Sequence, residues 1–457
     1  MSDAWREQAP EPGEPRAFEF PDVHSATLRN GMRVVHARHG RMPVVSAHVV
    51  IDAGAAAEPA SRGGLAQLTA SALHAGTNER DSNQLAWDLE LLGVQLNTDV
   101  TWDAIEASIT PPAAQLADAL AVLADVVRNA AFPDGEVGRL REEQLAEILQ
   151  RMKEPRALAN DVVGRCFYAP DAPYARPLIG TTESVGAITP SDLRAFHRDR
   201  FTPSSCTLVL VGDIDADSAT ALAERCFGDW TGTPAPLPDL IVRPRHEGPS
   251  VHIVDRIGAV QSELRIGHIG VPRSHPDYFP LIVMNTIFGG AFTSRLNMNL
   301  RETHGFTYGV RSQYTLRRGP GPFLVSTAVG TDVTVRAVEE VLKESERLRS
   351  EGVSDEELTN ARDYLIGILP LQMQTTGQLA SALAELVTYG LPLDYYDNYR
   401  DRIAAVTAED IRRVAREHMR PETFAIVVVG DAASVREGIE GLKHGTVYEV
   451  KPNGGTA

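Results

Sequence analysis

Cysteine is scarce: Cys166, Cys206 and Cys226 are the only three in 457 residues. They are too few and too scattered for a disulfide framework or a thiolate metal site, and read as buried free thiols. Positive charge is also short, with 44 Lys and Arg against 61 Asp and Glu, a formal net charge of −17. Phosphate-rich partners need clustered basic residues, so neither nucleic acid nor an anionic membrane surface is expected. Such an acidic surface fits solubility, with attraction of basic peptides as the other reading. No window approaches the roughly 20 apolar residues of a membrane span, and the opening "MSDAWREQAPEPGEPRAFEF" has no apolar signal core. A cytoplasmic protein is expected. At about 100–200 residues per domain, the length asks for more than one core.

What is present first is a repeat. "GAITPSDLRAFHRDRFTPSSCTLVLVGDI" (186–214) returns as "AAVTAEDIRRVAREHMRPETFAIVVVGDA" (404–432), with ten identities in 29 gapless pairs. Asp192 and Asp410, Pro203 and Pro421, Gly212 and Gly430 are each displaced by 218 residues. In both copies a Thr (Thr189, Thr407) precedes an Asp by three positions, a capping-box spacing. An amphipathic helix, a Pro turn and a continuous apolar strand ending in Gly-Asp follow.

Each half opens with strand-like alternation, "RVVHARHGRMPVVSAHVVIDAG" and "VQSELRIGHIGV", and continues into helices over 115–129, 136–152, 278–288, 332–349 and 355–369. Strands, then paired helices, then a strand describe an α+β layer with helices packed on one face of a sheet. The Pro-rich stretch 231–249 reads as a linker. The expected organisation is a tail over 1–21, domains over 22–230 and 250–445, and a second tail over 446–457.

"GGLAQLTASALHAGT" (63–77) has helical spacing of Leu65, Leu68 and Ala72 between the Gly63-Gly64 pair and Gly76. With the preceding "VVIDAGAAAEPASR" it resembles the strand, acidic turn and zinc helix of the pitrilysin/insulinase family of metallopeptidases. The likeness is to the short two-chain type related to mitochondrial processing peptidase, and it runs from residue 22 to about 445. The resemblance implies two tandem homologous domains, each a mostly antiparallel sheet with helices on one face, together forming half of a clamshell. Active members carry H-x-x-E-H here, two zinc ligands one turn apart with a general base between them. In this chain those positions begin at Gln67 and include Ala70 and Ser71, so both imidazoles and the base are replaced. Glu147 occupies the place of the family's third ligand; an ordinary surface Glu is the other reading. His74, one turn beyond Ser71, lacks a second histidine. No metal is expected in this chain.

The second half keeps what the first has lost. "NTIFGGAFTSRLNMNLRETHGFTYGVRSQY" (285–314) resembles the family's C-terminal signature. Arg301 and Tyr308 have the spacing of the family's Arg/Tyr pair, with Gly305 expected to cap a helix over 293–304 ahead of a strand over 306–315. The resemblance implies that both donate hydrogen bonds to a substrate carbonyl and to the oxyanion formed at zinc. Packing for Tyr308 and a helix-dipole role for Arg301 are the alternatives. Gly289 and Gly290 correspond to a Gly-rich loop near substrate, or to a plain turn.

The resemblance therefore implies the zinc-less subunit of a heterodimeric peptidase. A homologous partner would carry H-x-x-E-H and the zinc, and the substrate would be an extended peptide. The alternatives are a non-catalytic scaffold like the core proteins of the respiratory cytochrome bc complex, and a peptide-binding module.

Overall fold

The computed structural model describes residues 18–240 and 242–453. In it the sequence repeat is an architectural one. The first sheet comprises β1 (Val23–Thr27), β2 (Arg33–Arg38), β3 (Val45–Ile51), β4 (Asn97–Val100), β5 (Ile105–Ile109) and β6 (Cys206–Gly212), in the order β1-β2-β6-β3-β5-β4. The second comprises β7 (Ser250–Asp255), β8 (Gln261–Ile269), β9 (Val310–Tyr314), β10 (Pro322–Gly330), β11 (Ala425–Gly430) and β12 (Thr446–Glu449), in the order β12-β7-β11-β8-β10-β9. The pairs β2–β6, β7–β11 and β7–β12 are parallel; all the others are antiparallel. The halves differ at one edge, which β1 supplies from the N-terminal side and β12 from the C-terminal side.

Residues 446–449 are thus sheet rather than tail: they pair with β7, and Val450 N–H continues the ladder to Ile253 O at 2.9 Å. At the other end, residues 1–17 of the expected tail lie outside the described residues. Phe20, also assigned to that tail, is buried and stacks on Tyr396 of the second half at 5.0 Å. The Pro-rich linker is strapped down. Ala235 N–H bonds to Asp199 O, and Ala169 and Arg245 exchange backbone bonds with Arg243 and Phe167. Residue 241 is outside the described set.

β6 and β11 are buried at every residue, as their unbroken apolar runs require. One face of each sheet packs on its own helices. The helix Leu116–Asn129, for example, places Leu120, Leu123 and Val127 in the first core. The opposite face is covered by a helix from the other half: Thr376–Tyr389 lies on β3 and β6, and Pro155–Phe167 lies on β8 and β11. The expectation of helices on one face therefore holds for each half alone, and the reciprocal exchange covers the second face. Both capping boxes form, on the helices Pro190–Arg200 and Ala408–His418. The three thiols are buried and free, and burial pushes Cys166 and Cys206 up to about 12. No helix among the described residues is long and apolar enough to cross a membrane.

Candidate active-site cleft

Between the halves lies a cavity of about 1230 Å³, larger than the roughly 300–1,000 Å³ of small-molecule pockets. Val100 of β4 and Val310, Arg311 and Gln313 of β9 line it. These strands are the outer members of their sheets and pair on one side only. An extended chain in the cleft would meet unpaired backbone donors and acceptors.

The helix Leu65–Ala72 forms part of one wall and is fixed at its start. Glu58 accepts from Gly64 N (3.1 Å) and Ala66 N (2.6 Å) through its two carboxyl oxygens, tying two N–H groups at the start of the helix. Burial pushes the Glu58 carboxyl up to about 8, against those two N–H groups and the nearby Arg176 guanidinium. Gly64 has φ +89, and a Cβ there would stand 2.5 Å from Ile179 O. Gln144, on the helix Asp134–Lys153, donates to Gly64 O at 3.1 Å and to Ile179 O at 2.8 Å, holding that helix against the first.

Gln67 and Glu147 both line the cleft, on two helices that pack against each other. Ser71 is half-buried and outside the lining, and Ala70 is 1% exposed, packed in the first core. The position of a general base has become a packing position. An amide, a methyl and a hydroxyl do not make a zinc site. Glu147 is exposed and lies 3.9 Å from Arg151. His74 approaches Thr98 Oγ1 at 3.4 Å. Among the described residues the one group spaced to hold an ion is His275, Asp277 and His418, none of which lines the cleft. Arg413 grips both Asp277 oxygens at 2.6 and 3.0 Å and holds that carboxyl down at about 2.

On the facing wall the expected helix and strand are shorter. The helical turns run from Arg295, wound as a π-helix over Asn297–Thr303, and end at Gly305 with φ +63. Strand begins only at Val310, where Asn297 accepts from Val310 N (3.1 Å) and donates to Val310 O (2.9 Å). Tyr308 is therefore a loop residue, 97% exposed, and it lines the cleft. The loop is tied at Thr307, which donates to Gly309 O (2.9 Å) and accepts from Thr327 Oγ1 (3.0 Å). The alternative of a packed Tyr308 is thereby removed.

Arg301 does not line the cleft. Its guanidinium sits over Phe292, 4.3 Å from the ring centroid, with Nη1 3.3 Å from Glu302 Oε1. Phe292, 70% exposed, does line the cleft and was not singled out by the sequence reading. Gly289 and Gly290 also stand back from the lining. A Cβ on Gly289 would meet Ser312 Cβ and N at 2.8 Å, and one on Gly290 would meet Asn285 Nδ2 at 2.9 Å. Gly289 is thus packed against Ser312 of β9, and Gly290 against Asn285 at the end of the helix Tyr278–Asn285. The cleft arginines were also missed, because they come from two helices, two strands and two loops and share no spacing.

Residues 33–182 match the model of the insulinase family (peptidase family M16), and residues 187–365 match the peptidase M16 inactive domain. An uncharacterized zinc protease of Mycobacterium leprae is 28% identical over 433 residues, 92% of this chain and 94% of its own. The uncharacterized zinc protease YmxG of Bacillus subtilis is 23% identical over 416 residues, 90% and 98% of the two chains. A probable mitochondrial-processing peptidase subunit beta of Arabidopsis thaliana is 24% identical over 430 residues, 90% of this chain and 78% of its own. Among solved structures, a peptidase M16 inactive domain from Pseudomonas fluorescens superposes with a TM-score of 0.84 at 25% identity, covering 90% of this chain and 98% of that one. A protease from Helicobacter pylori gives the same TM-score at 17% identity, covering 90% and 100%, a likeness of fold.

Proposed function

Because the chain belongs to the M16 (insulinase) family of peptidases, we propose that it is the zinc-less subunit of a two-chain metallopeptidase. It would hold an extended peptide along the edges of β4 and β9 and present Tyr308 to a catalytic centre on a homologous partner. The partner would supply the H-x-x-E-H helix, the metal and the general base. The observation carrying this reading is Tyr308: a side chain 97% exposed on a loop whose neighbours are fixed has no work within its own fold. That one relative is by name a subunit supports the same reading.

In this role the Tyr308 hydroxyl donates to the scissile carbonyl and then to the oxyanion, where a preorganised donor lowers the barrier. Arg301 is a positioning residue one layer behind, holding Phe292 against the peptide. The test is native mass spectrometry on the tagged chain from its host, followed by kinetics on the recovered pair. A heterodimer with one zinc is expected. Tyr308→Phe should lower its kcat about 10²–10³-fold, whereas Arg301→Ala should act mainly on KM. A metal-free monomer or homodimer, or an unchanged kcat in Tyr308→Phe, would overturn the proposal.

A further inference from the structure

The chain is strongly acidic, yet its cleft is not. Six arginines and four carboxylates line it, a surplus of two positive charges in a protein of net charge −17. All four carboxylates are already committed. Asp161 takes the Arg151 fork at 2.7 and 2.9 Å, with Glu147 3.9 Å from the same arginine. Glu263 pairs with Arg265 at 2.9 Å. Asp103 accepts from Tyr174 Oη at 3.0 Å and from Arg318 N at 2.9 Å. Of the remaining arginines, Arg176 donates to backbone oxygens of Ala55 and Glu58. Arg156, Arg311 and Arg317 have no ion-pair partner among the described residues. Three of the six arginines thus lack an ion-pair partner, while Asp161 and the exposed Glu147 share the single Arg151.

Arg317 is the notable member. It is 7% exposed, and its Nε and Nη1 are buried with no hydrogen-bond partner. The guanidinium is stacked between Trp102, 3.7 Å from the ring centroid, and Tyr174, at 4.5 Å. The rings hold the planar group in place while leaving its edge N–H groups unanswered. Nε and Nη1 lie on different edges of the guanidinium, so a carboxylate seated on the Nε/Nη2 or the Nη1/Nη2 edge answers one of these costly buried donors while sharing Nη2, as Asp161 does on the Nε/Nη2 edge of Arg151. Asp103 offsets the charge through space, but its oxygens are occupied.

We propose that the cleft selects acidic peptide segments, with Arg317 as the seat of a peptide carboxylate and Arg156 and Arg311 as outer guides. The inference rests on the peptide-cleft reading above and gives that site a substrate class. A carboxylate can come from an Asp or Glu side chain or from the peptide C-terminus, and both present the same two oxygens.

The test is fluorescence anisotropy on the full chain with labelled peptides of equal length: acidic, neutral and basic, each with a free or amidated C-terminus. The acidic peptide is expected to bind at least about tenfold tighter than the neutral one, and the basic peptide weakest. Arg317→Gln should remove most of that preference. Arg317→Lys, which keeps the charge but loses the fork, should restore it only in part. Persistence of the preference on amidation assigns the carboxylate to a side chain; its loss assigns it to the C-terminus. Should Arg317→Gln fail to fold, the exposed pair Arg156→Gln/Arg311→Gln carries the test, with the preference expected to shrink. Binding with no charge preference, or with a preference untouched in the variants, overturns the acidic selection alone. Binding of none of the peptides overturns the cleft reading with it.

Discussion

Ser46 of β3 donates a hydrogen bond of 3.0 Å to Thr376, 330 residues farther along, and both side chains are buried. The bond marks where the helix Thr376–Tyr389 of the second half seats on the first sheet. Its mirror is the helix Pro155–Phe167, whose Leu158 and Val162 pack with Val427 and Val429 of the second sheet. Each half therefore completes the other's core, which fixes the walls of the cleft between them.

The exchange predicts cooperative unfolding. Leu383, fully buried in the second half, shares a core with Val209 and Val211 of β6. Leu383→Ala should cost about 2–5 kcal/mol, the usual range for such a truncation. Urea denaturation should still show one transition, moved to lower denaturant. Two separated transitions in wild type or variant would mean that the halves are independent.

Glu58 predicts a pH dependence. Its folded pKa is raised to about 8 from an ordinary carboxyl value. Between those values the native state binds more proton than the unfolded state, so this group's contribution is complete below about pH 4.5. It is lost as pH rises to 8. Glu58→Gln removes the titration and keeps only one of the two oxygens that separately accept from Gly64 N and Ala66 N, so a constant loss of Tm is expected beside the pH-dependent part. The Tm of the variant relative to wild type should climb across that window, read by scanning calorimetry. A constant difference would show that Glu58 is ionised throughout.

Gly289 predicts a contrast between two glycine substitutions. Gly289→Ala drives a Cβ to 2.8 Å from Ser312 Cβ and N and should lower Tm. Gly138, in the helix Asp134–Lys153, has nothing within 4 Å of its ideal Cβ, and Gly138→Ala should stabilise by roughly 0.5–1 kcal/mol. Equal, negligible shifts in thermal melts would return Gly289 to the list of loop glycines held for substrate.

The sequence carried the architecture because the architecture is repeated. Thr189 with Asp192 and Thr407 with Asp410 cap equivalent helices, and the apolar runs at 208–211 and 426–429 become equivalent central strands. Local periodicity could not report the reciprocal helix exchange, since a buried face looks the same whichever sheet covers it. Nor could it place strand 446–449, a short segment whose pairing with β7 is set entirely by distant residues. Of the candidate site, Gln67, Glu147 and Tyr308 could be singled out in the sequence, and all three line the cleft. The site was illegible in Arg317, whose meaning depends on Trp102 and Tyr174 arriving from the other half.

The degenerate helix itself gives the last prediction. Gln67 and Ser71 are one turn apart, both partly exposed, and Gln67 shares the cleft with Glu147. Gln67→His/Ser71→His should therefore create a zinc site of two imidazoles and one carboxylate, an N,N,O set that suits the metal. Equilibrium dialysis with zinc should give one bound ion per chain in the double variant and none in wild type. Adding Glu147→Gln should weaken binding by about 10-fold or more. Peptidase activity should stay absent in the chain alone, because the base position is the buried Ala70. A glutamate there would have to displace core side chains, and a buried, unpaired carboxylate is costly. Zinc uptake indifferent to Glu147→Gln would mean that the helix Asp134–Lys153 presents this carboxylate elsewhere. No uptake at all would mean that positions 67 and 71 diverge too far to share an ion.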